Sequence, residues 1–395
     1  MSFIPEHSKA AYSIGASYKA VYIEPDVVSS KDGVLLCLHG NELSGTTDVA
    51  SHPEFADRET TKFVEGWSTK DVTGWFTEDF TMAEMKTLRL KARAHDGLGP
   101  LDGIYQLNTF EEMLDFRASL VTMLDRPELG VYPETKLSTY FTSIGLPLEI
   151  KVIDTLESKG LCTRETPTSK CIGLDKVDGV YPVYLQSFDA ASLKVLTNLT
   201  DIPMARLIHG GDAGKEMVDT DDKITAISKY STGLSIPVSW DREFRRPVVA
   251  KALELGLLVH AWSADMEELD YQGLEDDGVE GVFSNNVAFG EGYIATRVQR
   301  DAICEEAREE ELHGGNHISD NQITIIALLF PCGVILGVLC IGCFHRQGKK
   351  GRNYDLAKEN EANADYDDLR SNSFDGTESE RSNNSRKGLV ISGVV

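Results

Sequence analysis

Two carboxylates, Glu24 and Asp26, lie one residue apart where the first apolar run of the chain ends. Alternate residues of a β-strand point to the same face, so these side chains are expected to converge. Converging carboxylates repel each other unless a cation or a shared proton lies between them. The pair therefore indicates either a cation site or, in the simpler interpretation of an isolated Glu-x-Asp, a solvated strand end entering a turn.

The elements around this pair alternate between short apolar runs and stretches of helical periodicity. The predicted strands are residues 20–26, 131–136, 182–188, 204–209, 233–238, 257–262 and 280–284. The predicted helices are residues 7–18, 109–124, 143–159, 189–198, 243–256 and 265–275. Alternating strands and helices indicate a parallel sheet with crossovers. The pattern favours an α/β fold of the TIM-type (β/α) barrel kind that lacks one strand, with a doubly wound sheet as the alternative.

In such a barrel the catalytic residues lie at the C-terminal ends of the strands. The second predicted strand, residues 131–136, has Glu134 and Lys136 at its end, which adds a third carboxylate and a lysine. Three carboxylates make an oxygen-rich site that suits Ca²⁺ or Mg²⁺ rather than zinc. Lys136 is either an ion-pair partner of Glu134 or a functional group. The residues at later strand ends include Gln186, Phe188, His209 and Trp262.

Charge and cysteine content exclude other classes of protein. The formal net charge is −24 and the pI is near 4.8, so phosphate backbones would be repelled and nucleic acid is an unsuitable partner. Seven cysteines are too few for a disulfide scaffold. Cys162 and Cys171 either close a short loop in a luminal domain or remain unpaired thiols of the core.

Residues 323–344 carry no charge and are long enough as a helix to cross a hydrocarbon core of about 30 Å. Basic residues follow this segment and acidic residues precede it. The positive-inside rule then predicts a single-pass protein whose N-terminal part is extracellular or luminal and whose tail is cytoplasmic. Gly333 and Gly337 form a GxxxG pair, a weak indication of a helix-mediated homodimer.

The composition divides the chain into four parts. Residues 1–299 form the predicted barrel domain, and residues 300–322 form an acidic stalk. Residues 323–344 form the predicted transmembrane helix. Residues 345–395 are predicted to be a disordered tail, because Asn, Ser, Glu and Asp dominate and leave little to build a core.

Several short motifs follow one another in a recognisable order. They are Pro-Glu-His-Ser at residues 5–8, Glu-Pro-Asp at residues 24–26, Lys-Asp-Gly at residues 31–33 and then His39. Over roughly residues 3–297 the chain resembles the glycerophosphodiester phosphodiesterase family, in particular its bacterial periplasmic and secreted members.

The resemblance implies a TIM-type barrel that hydrolyses glycerophosphodiesters to glycerol 3-phosphate and an alcohol. It implies one divalent cation, Ca²⁺ or Mg²⁺, and a set of site residues. The implied ligands are Glu24, Asp26 and Glu134, the implied catalytic histidine is His39, and the implied substrate contacts are Lys136, Gln186, Phe188 and Trp262. Trp262 is alternatively a residue of the core.

The family pattern begins with His-Arg-Gly on the first barrel strand, and this element does not occur ahead of residue 5. The expected loss is one of two cooperating catalytic histidines and a phosphate-binding arginine, which would impair activity. One explanation is an incomplete gene model that lacks an upstream signal peptide and first strand, which a single missing exon would account for. The other is a catalytically inactive barrel that serves as a ligand-binding or receptor-like ectodomain.

Overall fold

The computed structural model describes residues 4–66, 68–93, 99–263, 271–285 and 390–393. Its helices are α1 (Lys9–Ser17), α2 (Met82–Met85), α3 (Phe110–Leu124), α4 (Ser138–Ser143), α5 (Glu149–Ser158), α6 (Ala190–Leu199), α7 (Gly211–Glu216), α8 (Asp221–Ile227), α9 (Arg242–Glu254) and α10 (Tyr271–Asp277). Its strands are β1 (Tyr22–Ile23), β2 (Asp26–Ser29), β3 (Leu35–Cys37), β4 (Thr60–Lys62), β5 (Val72–Gly74), β6 (Gly130–Val131), β7 (Glu134–Thr135), β8 (Cys162–Thr163), β9 (Ile172–Gly173), β10 (Leu185–Ser187), β11 (Met204–Leu207), β12 (Gly233–Pro237), β13 (Leu258–Trp262), β14 (Gly281–Ser284) and β15 (Val390–Gly393).

The main sheet is a parallel barrel. β1 and β2 share one strand position, and β6 and β7 share the next. Parallel pairing then continues through β10, β11, β12, β13 and β14. β15 pairs with both β14 and β1, so within the described residues the pairs close a ring of eight strand positions. The predicted TIM-type architecture is confirmed.

The strand β15 corrects two details of the prediction. The barrel was expected to lack one strand, and Val390–Gly393 fill a position in the ring instead. These four residues belong to the tail that was predicted to be disordered, so that prediction does not hold for them. The stalk, the membrane span at 323–344, its GxxxG pair and residues 345–389 of the tail lie outside the described residues. In the part of the chain that is described, no helix has the length and apolar character needed to cross a bilayer.

Side-chain caps fix where helices begin on the side of the barrel where its strands end. The Asp189 carboxylate accepts from the Ala191 N–H at 2.8 Å at the start of α6, and Asp241 accepts from the Phe244 N–H at 2.9 Å at the start of α9. Such caps bond amide groups that the first helical turn would otherwise leave unpaired. They hold α6 close behind β10 and α9 close behind β12.

An aromatic layer fills the interior of the barrel. Tyr132 packs against Tyr22, Tyr184 and Phe283 with ring centroids 5.4, 4.7 and 5.1 Å apart. The Tyr132 hydroxyl lies 2.9 Å from His260 Nδ1, and burial lowers the pKa of His260 to about 4. Tyr22 and Tyr132 each precede a site carboxylate by two residues, which places them on the same face of their strands. The carboxylates therefore lie directly above an apolar floor.

The residues between β3 and α3 form a long insertion beside the barrel. β4 and β5 pair as an antiparallel hairpin within it. The buried Glu78 carboxylate accepts hydrogen bonds from Lys62 Nζ at 2.9 Å, from the Tyr140 hydroxyl at 2.5 Å and from Asn41 Nδ2. Because Tyr140 belongs to α4, this cluster ties the insertion to the barrel.

Cys162 and Cys171 form a disulfide. They lie on or next to the antiparallel strands β8 and β9, which pair Cys162 with Gly173. The alternative of two unpaired core thiols is therefore wrong for these residues, whereas Cys37 is a buried free thiol.

Candidate active site

Three buried carboxylates meet where two neighbouring strand positions of the barrel are interrupted, between β1 and β2 and between β6 and β7. Glu24 lies between β1 and β2, Asp26 begins β2 and Glu134 begins β7. Asp26 pairs directly with Glu134 in the register of the sheet. One oxygen from each carboxylate lies within 4.8 Å of one oxygen from each of the other two. The carboxylates therefore converge, as the sequence predicted. The sheet register that places Asp26 opposite Glu134 was not predicted.

Lys136 compensates part of this negative charge. Its Nζ lies 2.8 Å from Glu134 Oε2 and 3.4 Å from Asp26 Oδ2. Burial acts to lower the pKa of Lys136, but the charges of Asp26 and Glu134 outweigh it and raise that pKa above its ordinary value. Lys136 is therefore an ammonium ion in contact with both carboxylates, and a single positive charge does not neutralise three ionised acids.

The carboxyl groups consequently differ in proton affinity. Burial raises the pKa of Glu134 to about 8, with Lys136 opposing the rise and Asp26 adding to it. Burial, followed by the charges of Asp26 and Glu134, raises the pKa of Glu24 well above its ordinary value. Burial acts in the same direction on Asp26, but Lys136 and a hydrogen bond from His7 prevail and lower its pKa. Without a cation, the cluster retains protons at neutral pH.

The donor set fits a hard divalent cation. Asp26 Oδ1 is buried and has no hydrogen-bond partner among the described residues. The Gln186 amide donates to Glu24 Oε1 and holds that carboxylate in place. A cation would replace the proton on Glu134 and would give Asp26 Oδ1 a partner. Carboxylate oxygens without histidine or thiolate ligands are the chemistry of Ca²⁺ and Mg²⁺.

His7 positions Asp26, a role that sequence reasoning missed. Its Nε2 lies 3.3 Å from Asp26 Oδ2 and its Nδ1 lies 3.0 Å from the Tyr12 hydroxyl. The residue has φ 55°, a left-handed conformation that costs energy for a non-glycine residue, and Asn108 donates to its carbonyl at 2.9 Å. The Pro-Glu-His motif was the only sequence signal that could have pointed to His7. Its pairing with Asp26 depends on the tertiary structure, so the motif alone did not predict this role.

His39 lies beside Asp26 because the backbone pairing of β2 and β3 continues one step further. The Leu38 N–H donates to the Asp26 carbonyl at 3.0 Å. The guanidinium of Arg93 donates to His39 Nδ1 at 2.6 Å and forms an ion pair with Glu6 at 3.0 Å. A guanidinium only donates, so Nδ1 of His39 accepts and the ring proton lies on Nε2. Burial first, then the charges of Lys136 and Arg93, lower the pKa of His39 well below its ordinary value.

Aromatic rings form one wall beside Lys136. Phe188 packs against Trp262 with centroids 5.3 Å apart and against His209 at 5.1 Å. Lys136 Nζ lies 5.8 Å from the Phe188 centroid. The structure thus brings Phe188 and Trp262 together next to the lysine. His209 joins them, and burial lowers its pKa to about 4.

Comparison with known proteins identifies the family. Residues 2–289 match the family model described as the glycerophosphoryl diester phosphodiesterase family. The chain belongs to this family. It is 32% identical over 316 residues to the glycerophosphodiester phosphodiesterase GDPD6 of Arabidopsis thaliana, covering 71% of this chain and 80% of that protein. A glycerophosphodiester phosphodiesterase of Bacillus subtilis is 25% identical over 288 residues, covering 72% of this chain and 80% of the relative.

A solved structure supports the fold of this glycerophosphodiester phosphodiesterase family member. The putative glycerophosphoryl diester phosphodiesterase from Silicibacter pomeroyi superposes with a TM-score of 0.50 at 17% identity, covering 73% of this chain and 90% of that chain. The family-model match and the Arabidopsis thaliana relative confirm the family recognised from the short motifs, and with it an enzyme of the phosphodiesterase class. The strand at the position expected to carry His-Arg-Gly is β15, whose residues Val390–Gly393 include neither histidine nor arginine.

Proposed function

We propose that this barrel hydrolyses glycerophosphodiesters to glycerol 3-phosphate and an alcohol with the help of one divalent cation. The observation that carries the proposal is the buried cluster of Glu24, Asp26 and Glu134 in contact with Lys136. Such a cluster is unfavourable unless a positive charge joins it. Family membership supports the reaction class. The cation and the residue roles are our proposal.

The chemistry requires positive charge more than a strong nucleophile. A phosphodiester carries a negative charge that repels attack, and this charge grows as the reaction proceeds. A cation held by the three carboxylates would supply Lewis-acid neutralisation of that charge. Lys136, which lies between Glu134 and the Phe188 ring, is placed to contact a phosphate oxygen. Phe188 and Trp262 exclude water from that side of the substrate.

Proton transfer is assigned to His39. In the resting structure Arg93 donates to Nδ1, so the ring can take up a proton there only after Arg93 has withdrawn. We propose that the substrate phosphate attracts the Arg93 guanidinium and releases His39. Because β15 carries no His-Arg, we assign both half-reactions to His39 among the described residues, and we expect slow turnover.

A second candidate function is ligand binding without turnover. The same absence of histidine and arginine from Val390–Gly393 favours it, because the carboxylates proposed to hold the cation and the proposed phosphate contact of Lys136 lie on other strands. Such a barrel would bind glycerophosphodiesters through Lys136 and the aromatic wall. The membrane span predicted at residues 323–344 would tether either function to a bilayer and stays a prediction.

The test measures glycerol 3-phosphate release from glycerophosphocholine by the full chain with Mg²⁺, Ca²⁺ or EDTA. We expect cation-dependent release, and a loss of at least about a hundredfold in Glu134→Gln. Glu149→Gln changes another buried glutamate, at the start of α5, and should leave the rate unchanged. Substrate binding by calorimetry without any turnover would support the ligand-binding alternative. Equal rates in EDTA and in Mg²⁺ would refute the cation.

A further inference from the structure

A chain of buried side chains leads away from Asp26, behind the carboxylate cluster. His7 Nε2 lies 3.3 Å from Asp26 Oδ2, and His7 Nδ1 lies 3.0 Å from the Tyr12 hydroxyl. The same hydroxyl is hydrogen-bonded to the Cys37 thiol. His7, Tyr12 and Cys37 are at most 1% exposed, so bulk water does not reach these contacts. The polar groups of this chain must therefore satisfy one another.

Asn108 closes this chain into a ring of contacts. Its side-chain amide donates to the His7 carbonyl at 2.9 Å, and its own carbonyl accepts from the Cys37 N–H at 2.9 Å. One residue thus holds both ends of the side-chain path through Tyr12. Tyr12 itself lies in α1, whose N-terminus is capped by Ser8. The spacing of the three side chains is therefore fixed by backbone contacts as well as by their own hydrogen bonds.

The donors and acceptors of this chain follow from what each group can do. The Asp26 carboxylate, which also contacts the Lys136 ammonium, only accepts, so a singly protonated His7 carries its proton on Nε2. Nδ1 then accepts, and the Tyr12 hydroxyl is its donor. The Tyr12 oxygen in turn accepts from the Cys37 thiol. Every polar side-chain group from His7 to Cys37 has a partner in this arrangement.

Both ring nitrogens of His7 depend on this arrangement. A half-turn of the imidazole would place carbon atoms at both contacts, and the other tautomer would turn a nitrogen lone pair toward the Asp26 oxygen. The hydrogen bond from Tyr12 disfavours both alternatives, because a buried polar atom left without a partner costs free energy. Tyr12 therefore selects the ring orientation in which His7 donates to Asp26.

We propose that Tyr12 is a positioning residue of the cation site, which acts through His7 by fixing the ring orientation and tautomer with which that side chain donates to Asp26. Asp26 then keeps its place next to Glu24 and Glu134. Groups that orient metal ligands in this way typically change metal affinity by about ten- to a hundredfold. The expected effect on affinity rests on the proposed function, whereas the state of the His7 ring is measured without a cation.

The first test determines which nitrogen of His7 is protonated in the full, cation-free chain near neutral pH. NMR spectra of protein with isotope-labelled histidine rings distinguish the two tautomers and the imidazolium, and the signal that is lost in His7→Gln belongs to this residue. We expect one ring species, protonated at Nε2 only. In Tyr12→Phe, which keeps the ring and removes the hydroxyl, a second species should appear. A proton on Nδ1 of the wild-type ring, or an unchanged spectrum in Tyr12→Phe, overturns the proposal, and the wild-type spectrum remains decisive if the variant does not fold.

The second test measures the affinity for Mg²⁺ and Ca²⁺ by calorimetry in a double-mutant cycle. Tyr12→Phe should weaken cation binding about tenfold. His7→Gln offers an amide donor to Asp26 and has no Nδ1, so Tyr12→Phe should cause no further loss of affinity in that background. Equal losses in the two backgrounds would show that the hydroxyl acts only on the general structure, and would overturn the proposal.

Tyr140→Phe is the matched control, because it also removes a hydrogen bond from a tyrosine hydroxyl, in this case to Glu78 in the insertion. It should lower Tm and leave the cation affinity unchanged. If it weakens cation binding as much as Tyr12→Phe does, the effect is general destabilisation and the proposal fails. A wild-type chain that binds neither cation refutes the proposed function instead, and the ring species of His7 then still decides the role of Tyr12.

Discussion

Cation binding at the carboxylate cluster should release protons. Glu134 has a pKa of about 8, raised chiefly by burial, so it is mostly protonated at pH 7 and must ionise before it can bind a cation. At pH 7, about one unit below this pKa, ionisation of Glu134 costs about 1.4 kcal/mol, and at pH 9 the cost falls to about 0.1 kcal/mol. Glu24, whose pKa burial also raises, adds to the effect in the same direction. We therefore expect the affinity for Mg²⁺ or Ca²⁺ to increase at least about tenfold between pH 7 and pH 9.

Isothermal titration calorimetry in two buffers of different ionisation enthalpy measures this release directly. We expect about one proton or more per cation at pH 7, from the fraction of Glu134 that is protonated there. Glu134→Gln removes that proton along with a ligand, and Glu149→Gln serves as the buried control. A cation affinity that is constant from pH 6 to pH 9, with heats independent of the buffer, would falsify the assignment of a raised pKa to the cluster.

The same shift predicts how the cation-free protein responds to pH. The folded-state pKa of Glu134 lies above the ordinary value of 4.5 that it has in an unfolded chain. Between about pH 4.5 and pH 8 the unfolded chain therefore binds fewer protons, so this group lowers stability as pH rises. We expect the Tm contribution of added cation to grow over the same window. Thermal denaturation in EDTA and in Mg²⁺, from pH 5 to pH 8, measures both trends.

Three further predictions concern neighbouring groups. In Arg93→Met the pKa of His39 should rise, because a guanidinium charge 2.6 Å from Nδ1 is removed, but it should stay below its ordinary value since burial remains the larger cause. NMR titration of the imidazole measures this pKa, and an unchanged value would refute the contact. Lys136→Met should lower turnover by roughly two orders of magnitude. Cation binding should tighten at the same time, since a competing ammonium is removed. Kinetics measure the loss of turnover and calorimetry measures the cation affinity, and weaker cation binding would contradict the reasoning. Cys162→Ser should lower the free energy of unfolding by about 3 kcal/mol, since the disulfide to Cys171 closes a short loop. Urea denaturation measures this free energy. If a reductant left the free energy of unfolding of the wild-type protein unchanged, the disulfide would be contradicted.

The strands of the barrel body were predictable because each is a β-branched or aromatic run between helical stretches. The run at residues 257–262 became β13, and the helix predicted at residues 109–124 became α3, whose N-terminus Thr109 caps. The helix predicted at residues 143–159 begins only at Glu149 in the structure. Gly145 has φ 80° and separates this helix from α4. Local signals therefore defined the elements but not all of their boundaries.

The site was predictable only in part, for a different reason. The i, i+2 spacing brought out Glu24 and Asp26, because alternation along a strand is a local property. The contacts of His7 with Asp26 and of Arg93 with His39 join segments that are remote in sequence. The antiparallel pairing of β3 with β2, which places His39, was not predicted either. β15 was missed because a short apolar run gives no indication of a partner at the other end of the chain.

The pairing of β15 also affects how this protein folds. Tyr22 precedes its partner Ser392 by 370 residues in the chain. The ring of eight strand positions formed by the described residues therefore closes only after residues 390–393 have been synthesised. Contacts between segments so distant in sequence form slowly, because the intervening chain must first be ordered. The chain should accordingly pass through an open-edged intermediate that is vulnerable to aggregation, and a truncation that removes Val390–Gly393 would leave it there.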